Sequence, residues 1–96
     1  MDTRTQPLKL LVSAYHPDSK IHLEVWSTEP GFQFYTGEGV DVDVENVKYG
    51  ARAGFCVEPH RWVNAVNVEG WQAQVLVGKG EVWGSRILYR AWADEA

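Results

Sequence analysis

Polar and apolar residues alternate with a period of two through much of this chain. Ile21, Leu23 and Val25 alternate with His22, Glu24 and Trp26, the pattern of a strand with one face toward a core. Val40, Val42 and Val44 alternate with Asp41, Asp43 and Glu45 in the same way. Phe32-Gln33-Phe34-Tyr35-Thr36 is a short aromatic strand opened by a Pro30-Gly31 turn. Gly54 to Glu58 is rich in strand-favouring residues, and Leu8 to Tyr15 is a further strand. Gln74-Val75-Leu76-Val77 leads through Gly78-Lys79-Gly80 into Glu81 to Trp92, which reads as a hairpin. Frequent Gly and Pro breakers leave few pieces long enough for a stable helix. The expectation is a single all-β domain over residues 1–96, with antiparallel strands forming a sandwich or part of one.

Composition narrows the function classes. A chain of 96 residues has room for one core, and its 45% hydrophobic content argues against disorder. A net charge of −4 supplies no basic footprint for nucleic acid and no polycationic patch for an anionic membrane. Cys56 stands alone, which excludes an internal disulfide and a multi-cysteine metal site. His16 and His22 lack metal-ligand spacing, and Asp41-Asp43-Glu45 reads as a solvated strand face, so neither metal nor cofactor is expected. The amino terminus lacks the apolar core of a signal peptide, and no stretch approaches the roughly 20 apolar residues of a membrane span. A soluble cytoplasmic protein is expected.

Three blocks, in order, carry a resemblance. The first runs from Leu23 to Gly37 and includes Pro30-Gly31-Phe32-Gln33-Phe34-Tyr35-Thr36-Gly37. The second is Gly54-Phe55-Cys56-Val57-Glu58-Pro59-His60-Arg61-Trp62-Val63-Asn64-Ala65-Val66-Asn67, and the third is Val75 to Trp83. Together they resemble the carboxy-terminal third of the aldose 1-epimerase (galactose mutarotase) family. The resemblance implies part of a β-supersandwich and a sugar or cyclic hemiacetal as ligand. It also implies that Glu58 takes the proton from the anomeric hydroxyl and that Gln33 contacts the sugar. The family's histidine acid, with a further histidine, an arginine and an aspartate, belongs to its upstream portion, and nothing in this sequence is assigned to those roles.

The residues themselves fit such chemistry. Opening a hemiacetal is faster when one group removes the hydroxyl proton while another donates to the ring oxygen. A carboxylate base works best when partly buried among apolar groups, and Glu58 lies among Phe55, Cys56, Val57 and Pro59. Alternate side chains of a strand share a face, so Cys56, Glu58 and His60 are expected together, as are Gln33 and Tyr35 opposite Phe32 and Phe34. His60 stands where the family usually has glutamine, and a histidine suits the missing acid. Arg61 and Trp62 are further substrate-binding candidates, against surface and core readings respectively. The five tryptophans are spread over separate segments, which favours core or interface use. Two other functions remain open: a small cyclase or isomerase for a hydrophobic molecule, and a non-catalytic module. In the second, a truncated sandwich would cover its open edges and apolar face by forming a homodimer.

Overall fold

Alternation turns into paired strands through most of the chain. In the computed structural model, which describes residues 1–95, the strands are β1 (Lys9–His16), β2 (Ile21–Ser27), β3 (Gly31–Tyr35), β4 (Val42–Val44), β5 (Val47–Tyr49), β6 (Cys56–His60) and β7 (Ile87–Ala93). Short 3-10 turns lie at Ala65–Asn67 and Gln72–Gln74. The strands form a three-stranded sheet in the order β1-β2-β7, a ribbon of β3 with β6, and a hairpin of β4 with β5. Every ladder is antiparallel. The fold is all-β, as the alternation predicts, and it is part of an antiparallel sandwich.

The central strand β2 carries the best-packed apolar side chain. Val25 is 0% exposed and stands between Val12 of β1 and Tyr89 of β7. The β1–β2 connection is tied down locally: Lys20 N–H donates to His16 O at 2.8 Å, and Asp18 N–H to His16 Nδ1 at 3.2 Å. A bulge between Leu10 and Val12 puts Leu11 out of the ladder and twists the β1 edge. On the outer face the His22 ring stacks on Trp92 with centroids 4.7 Å apart, while Tyr15 lies 4.5 Å away on its other side. The Arg90 guanidinium lies 4.7 Å from the centre of the Trp92 ring and extends this row.

From Ser27 the chain turns a corner into the ribbon, and here the buried groups are polar. Thr3, Ser27, Thr28, Glu29 and Arg61 are all buried. Thr3 Oγ1 and Thr28 Oγ1 share a hydrogen bond of 2.7 Å, and Thr28 Oγ1 accepts from Arg86 N–H at 3.0 Å. Ser27 Oγ donates to Arg86 O at 2.8 Å and accepts from Glu29 N–H at 2.9 Å. Each buried hydroxyl is thereby satisfied, which an apolar setting demands.

Apolar packing is sparse by contrast. Among the described residues only Val25, Val57 and Ala65 are buried hydrophobics. The radius of gyration is 17.1 Å, against about 12.5 Å for a compact chain of this length. The accessible surface is 7198 Å², roughly 1,600 Å² more than a folded monomer of this mass presents. Phe32, Phe34 and Phe55 lie exposed beside Leu11, Val12 and Ala14 of β1, the two layers of a sandwich closed only in part.

The carboxy-terminal half departs from the expected hairpin. Residues Val75–Val77 form no strand, and Gln72–Gln74 is a 3-10 turn. A turn does form at Gly78, where Glu81 N–H donates to Gly78 O at 3.1 Å. Beyond it, however, Gly84 is drawn to the amino-terminal segment, accepting from Thr3 N–H at 2.9 Å, and β7 pairs with β2. The alternation of Val40 to Glu45 gave one strand, whereas the structure has a second, β5, across a turn at Glu45 and Asn46. Both turn residues are left-handed, at φ 50° and 68°, as a two-residue hairpin requires.

Candidate functional site

The register of the ribbon decides which candidates meet. Gln33 is opposite Glu58, Tyr35 opposite Cys56, and Gly31 opposite His60. Directly opposed residues of an antiparallel pair project to the same face, so Gln33, Tyr35, Cys56, Glu58 and His60 form one polar face. Phe32 and Phe34, with Val57 across from Phe34, form the other. That second face meets the three-stranded sheet, where Tyr89 of β7 donates its hydroxyl to Val57 O at 2.7 Å. The same-face arrangement expected from the alternation is therefore present.

Glu58 differs from its expected setting. Its residue is exposed, not sheltered among apolar groups. The neighbours Phe55 and Val57 are on the opposite pleat, so they do not shelter the carboxylate. Gln33 beside it is exposed too, its amide donating to Phe34 O at 3.3 Å. Tyr35 uses its hydroxyl to accept from Gly39 N–H at 2.8 Å, which ties the ribbon to the base of the β4–β5 hairpin.

An open groove of about 520 Å³ begins at Gln33 and runs past His60, Trp62 and Asn64 to Val66 and Val75. Its size suits a small ligand. His60 is half-buried, and its Nδ1 is bonded to Arg61 O. A carbonyl oxygen only accepts, so a hydrogen bond here requires the proton on Nδ1 and leaves Nε2 as the free ring nitrogen. Trp62 is 43% exposed and meets the edge of Trp71 at 4.6 Å, with the planes 79° apart. Its backbone N–H donates to Gln74 Oε1 at 3.2 Å. Asn64 adopts a left-handed φ of 63° and starts the turn that buries Ala65 under the groove.

Arg61 adds to the groove wall but spends its guanidinium elsewhere. Its Nε lies 2.8 Å from Glu29 Oε2, close enough for a full ion pair, although the two atoms are not aligned as a hydrogen bond. Its Nη2 donates to Gly84 O at 2.8 Å, and its Cζ sits 4.5 Å over the Trp83 ring. Glu29 was not foreseen as part of this region. Its only sequence signal is an acid placed between the end of a strand and the Pro30-Gly31 turn. None of the five tryptophans is fully buried; Trp62, Trp83 and Trp92 are exposed.

A second groove, of about 420 Å³, lies between the ribbon and the β4–β5 hairpin, lined by Tyr35, Val40, Val42, Tyr49 and Phe55. It is mainly apolar, and its only groups able to move a proton are the Tyr35 and Tyr49 hydroxyls and the Cys56 thiol.

The family model described as aldose 1-epimerase matches residues 2–90. This chain belongs to the aldose 1-epimerase family. It is 43% identical over 95 residues to the bifunctional protein gal10 of Schizosaccharomyces pombe, a match covering 99% of this chain and 13% of the relative. It is 43% identical over 89 residues to the bifunctional protein GAL10 of Kluyveromyces lactis, covering 93% of this chain and 12% of that protein. With the galactose mutarotase of Homo sapiens it shares 41% identity over 79 residues, 79% of this chain and 23% of the relative. The chain thus spans about an eighth of the length of the bifunctional relatives and about a quarter of the mutarotase, in their carboxy-terminal part. The match takes in β6 and the turn after it, the segment that carries Glu58, His60 and Trp62.

Proposed function

We propose that this chain provides the base-bearing part of an aldose 1-epimerase site. The observation that carries the reading is the pairing of Gln33 with Glu58 on one face of the ribbon, beside a groove of sugar size. In this reading Glu58 accepts the proton of the anomeric hydroxyl as the ring opens and returns it after the carbonyl has turned. Gln33 holds a neighbouring hydroxyl through its amide, which both donates and accepts. Tyr35 borders the ligand on the same face, and the exposed ring of Trp62 lies against the apolar side of the sugar. His60 donates to the ring oxygen from Nε2 when its imidazole is protonated. Arg61 acts from behind the wall, because its charge is already committed to Glu29.

Glu58 as a base gains strength from a drier setting than this chain alone supplies. The uncovered surface supports a homodimer as the cover, since an excess of roughly 1,600 Å² over a folded monomer of this mass exceeds the ~800 Å² per partner of a standard interface. Sedimentation velocity at micromolar concentration tests that point, and a strict monomer contradicts it.

Polarimetry tests the function. The optical rotation of freshly dissolved aldoses should reach its equilibrium value faster with the chain than in buffer, and Glu58→Gln should lower the added rate by roughly 100-fold or more. Glu58 is exposed, so this substitution leaves the fold in place. A Glu58→Gln variant as active as the parent refutes the assignment of the base.

A further inference from the structure

Two of the best-buried side chains in this molecule bear full charges. Glu29 is 2% exposed and Arg61 6% exposed. Desolvating two ions offsets much of their attraction, so a buried pair is weak evidence for stability alone. A buried pair in such a place gives direction. The Arg61 guanidinium is held from three sides, by Glu29 Oε2, by Gly84 O and by the Trp83 ring. The residues on either side of Arg61 are His60 and Trp62, and both line the groove.

We propose that Glu29, acting through Arg61, positions the His60 imidazole and the Trp62 ring in the groove. The chain of contacts is short. Glu29 is fixed at the end of the sheet, its backbone N–H donating to the buried Ser27 Oγ at 2.9 Å. It anchors the Arg61 side chain and hence the Arg61 peptide. The carbonyl of that peptide accepts from His60 Nδ1–H, which selects one tautomer and leaves Nε2 as the nitrogen open to a ligand. The next peptide sets Trp62, whose N–H donates to Gln74 Oε1. Glu29 and Arg61 are thus positioning residues, and the groove's polar geometry is inherited from the corner. The role assigned to the groove rests on the aldose 1-epimerase reading above, but the coupling itself is a property of the corner.

Long-range 1H–15N spectra of the imidazoles test the coupling without reference to activity. In the parent, neutral His60 should show a protonated-type Nδ1 and an unprotonated-type Nε2. In the double variant E29Q/R61M, which removes both charges together, the two nitrogens should move toward a common, tautomer-averaged position. His22, bonded to Asp94 at 2.9 Å on the outer face, reports the intact sheet and should not shift. Glu38→Gln, which breaks the exposed pair with Arg52, should leave His60 unchanged. An unmoved His60 in E29Q/R61M overturns the proposal. A parent that responds to no aldose removes the functional reading, while the His60 shift still decides the positioning.

Discussion

The corner at Thr28 and Glu29 and the ribbon of β3 with β6 are joined in sequence, yet they meet water in opposite ways. At the corner even the charged groups are buried, and each hydroxyl has a partner. On the ribbon even the aromatic rings are exposed, with Phe32 at 40% and Phe34 at 50%. In the first region hydrogen bonds to residues distant in sequence, Thr3 and Arg86, satisfy the hydroxyls, and an ion pair joins the two charges. Burying the second needs apolar surface that these residues do not contain. The difference separates two contributions to a protein fold: the polar seam sets how segments join, and apolar cover decides how dry a face becomes. Glu58 lies on the region that lacks cover, whereas Arg61, three residues later, lies in the region that has it.

That contrast can be broken at its closed side first. Arg61→Met leaves the Glu29 carboxylate buried and alone, and should cost about 3–5 kcal/mol in chemical denaturation. Breaking the exposed Arg52–Glu38 pair, whose side chains are 68% and 66% exposed, should cost less than about 1 kcal/mol. Equal costs would mean that the corner is not the closed region described. Gly37→Ala should come next. Gly37 has φ +76°, and an added Cβ would stand 2.1 Å from Gly54 O, where the β4–β5 segment leaves and rejoins the ribbon. A loss above about 1 kcal/mol is expected in thermal melts, since alanine resists this backbone conformation. Gly50→Ala meets nothing within 4 Å and should stay within about 0.5 kcal/mol.

The smallest effect belongs to a surface pair. Asp2 is held down to about 2 from its usual 3.8, first by the hydrogen bond from the Arg4 side chain and then by that from the Arg4 backbone. A carboxylate lowered on folding stabilises the fold above its unfolded pKa, and loses that contribution as pH falls through the folded value. Asp2→Asn should therefore differ slightly from the parent at neutral pH, and the gap should close between pH 3.8 and about 2. A gap that widens on acidification contradicts this sign.

Much of this was legible in the residues. The alternation of Ile21 to Trp26 and of Phe32 to Thr36 identified both the strands and the faces, because a period of two survives whatever the strand packs against. The block from Gly54 to Asn67 pointed to the family. What failed depended on partners distant in sequence. Val75 and Trp83 have strand-like surroundings, but Gly84 is claimed by Thr3, 81 residues away in sequence. The place of Arg61 could not be read from its neighbours either, because its counter-ion sits 32 residues earlier, at Glu29. The expected shelter of Glu58 rested on nearby apolar residues; the pleat sends Val57 to the other side and leaves the carboxylate open.

In the proposed function the polar face of the ribbon, and not the stacked outer face of the sheet, receives an aldose. A 1H–15N titration of the 96-residue chain with a panel of aldoses tests it most directly. Resonances of Gln33, Tyr35, Glu58, His60 and Trp62 should move together and saturate, while His22, Arg90 and Trp92 stay in place. Shifts confined to the outer face, or none at any sugar concentration, would contradict the account.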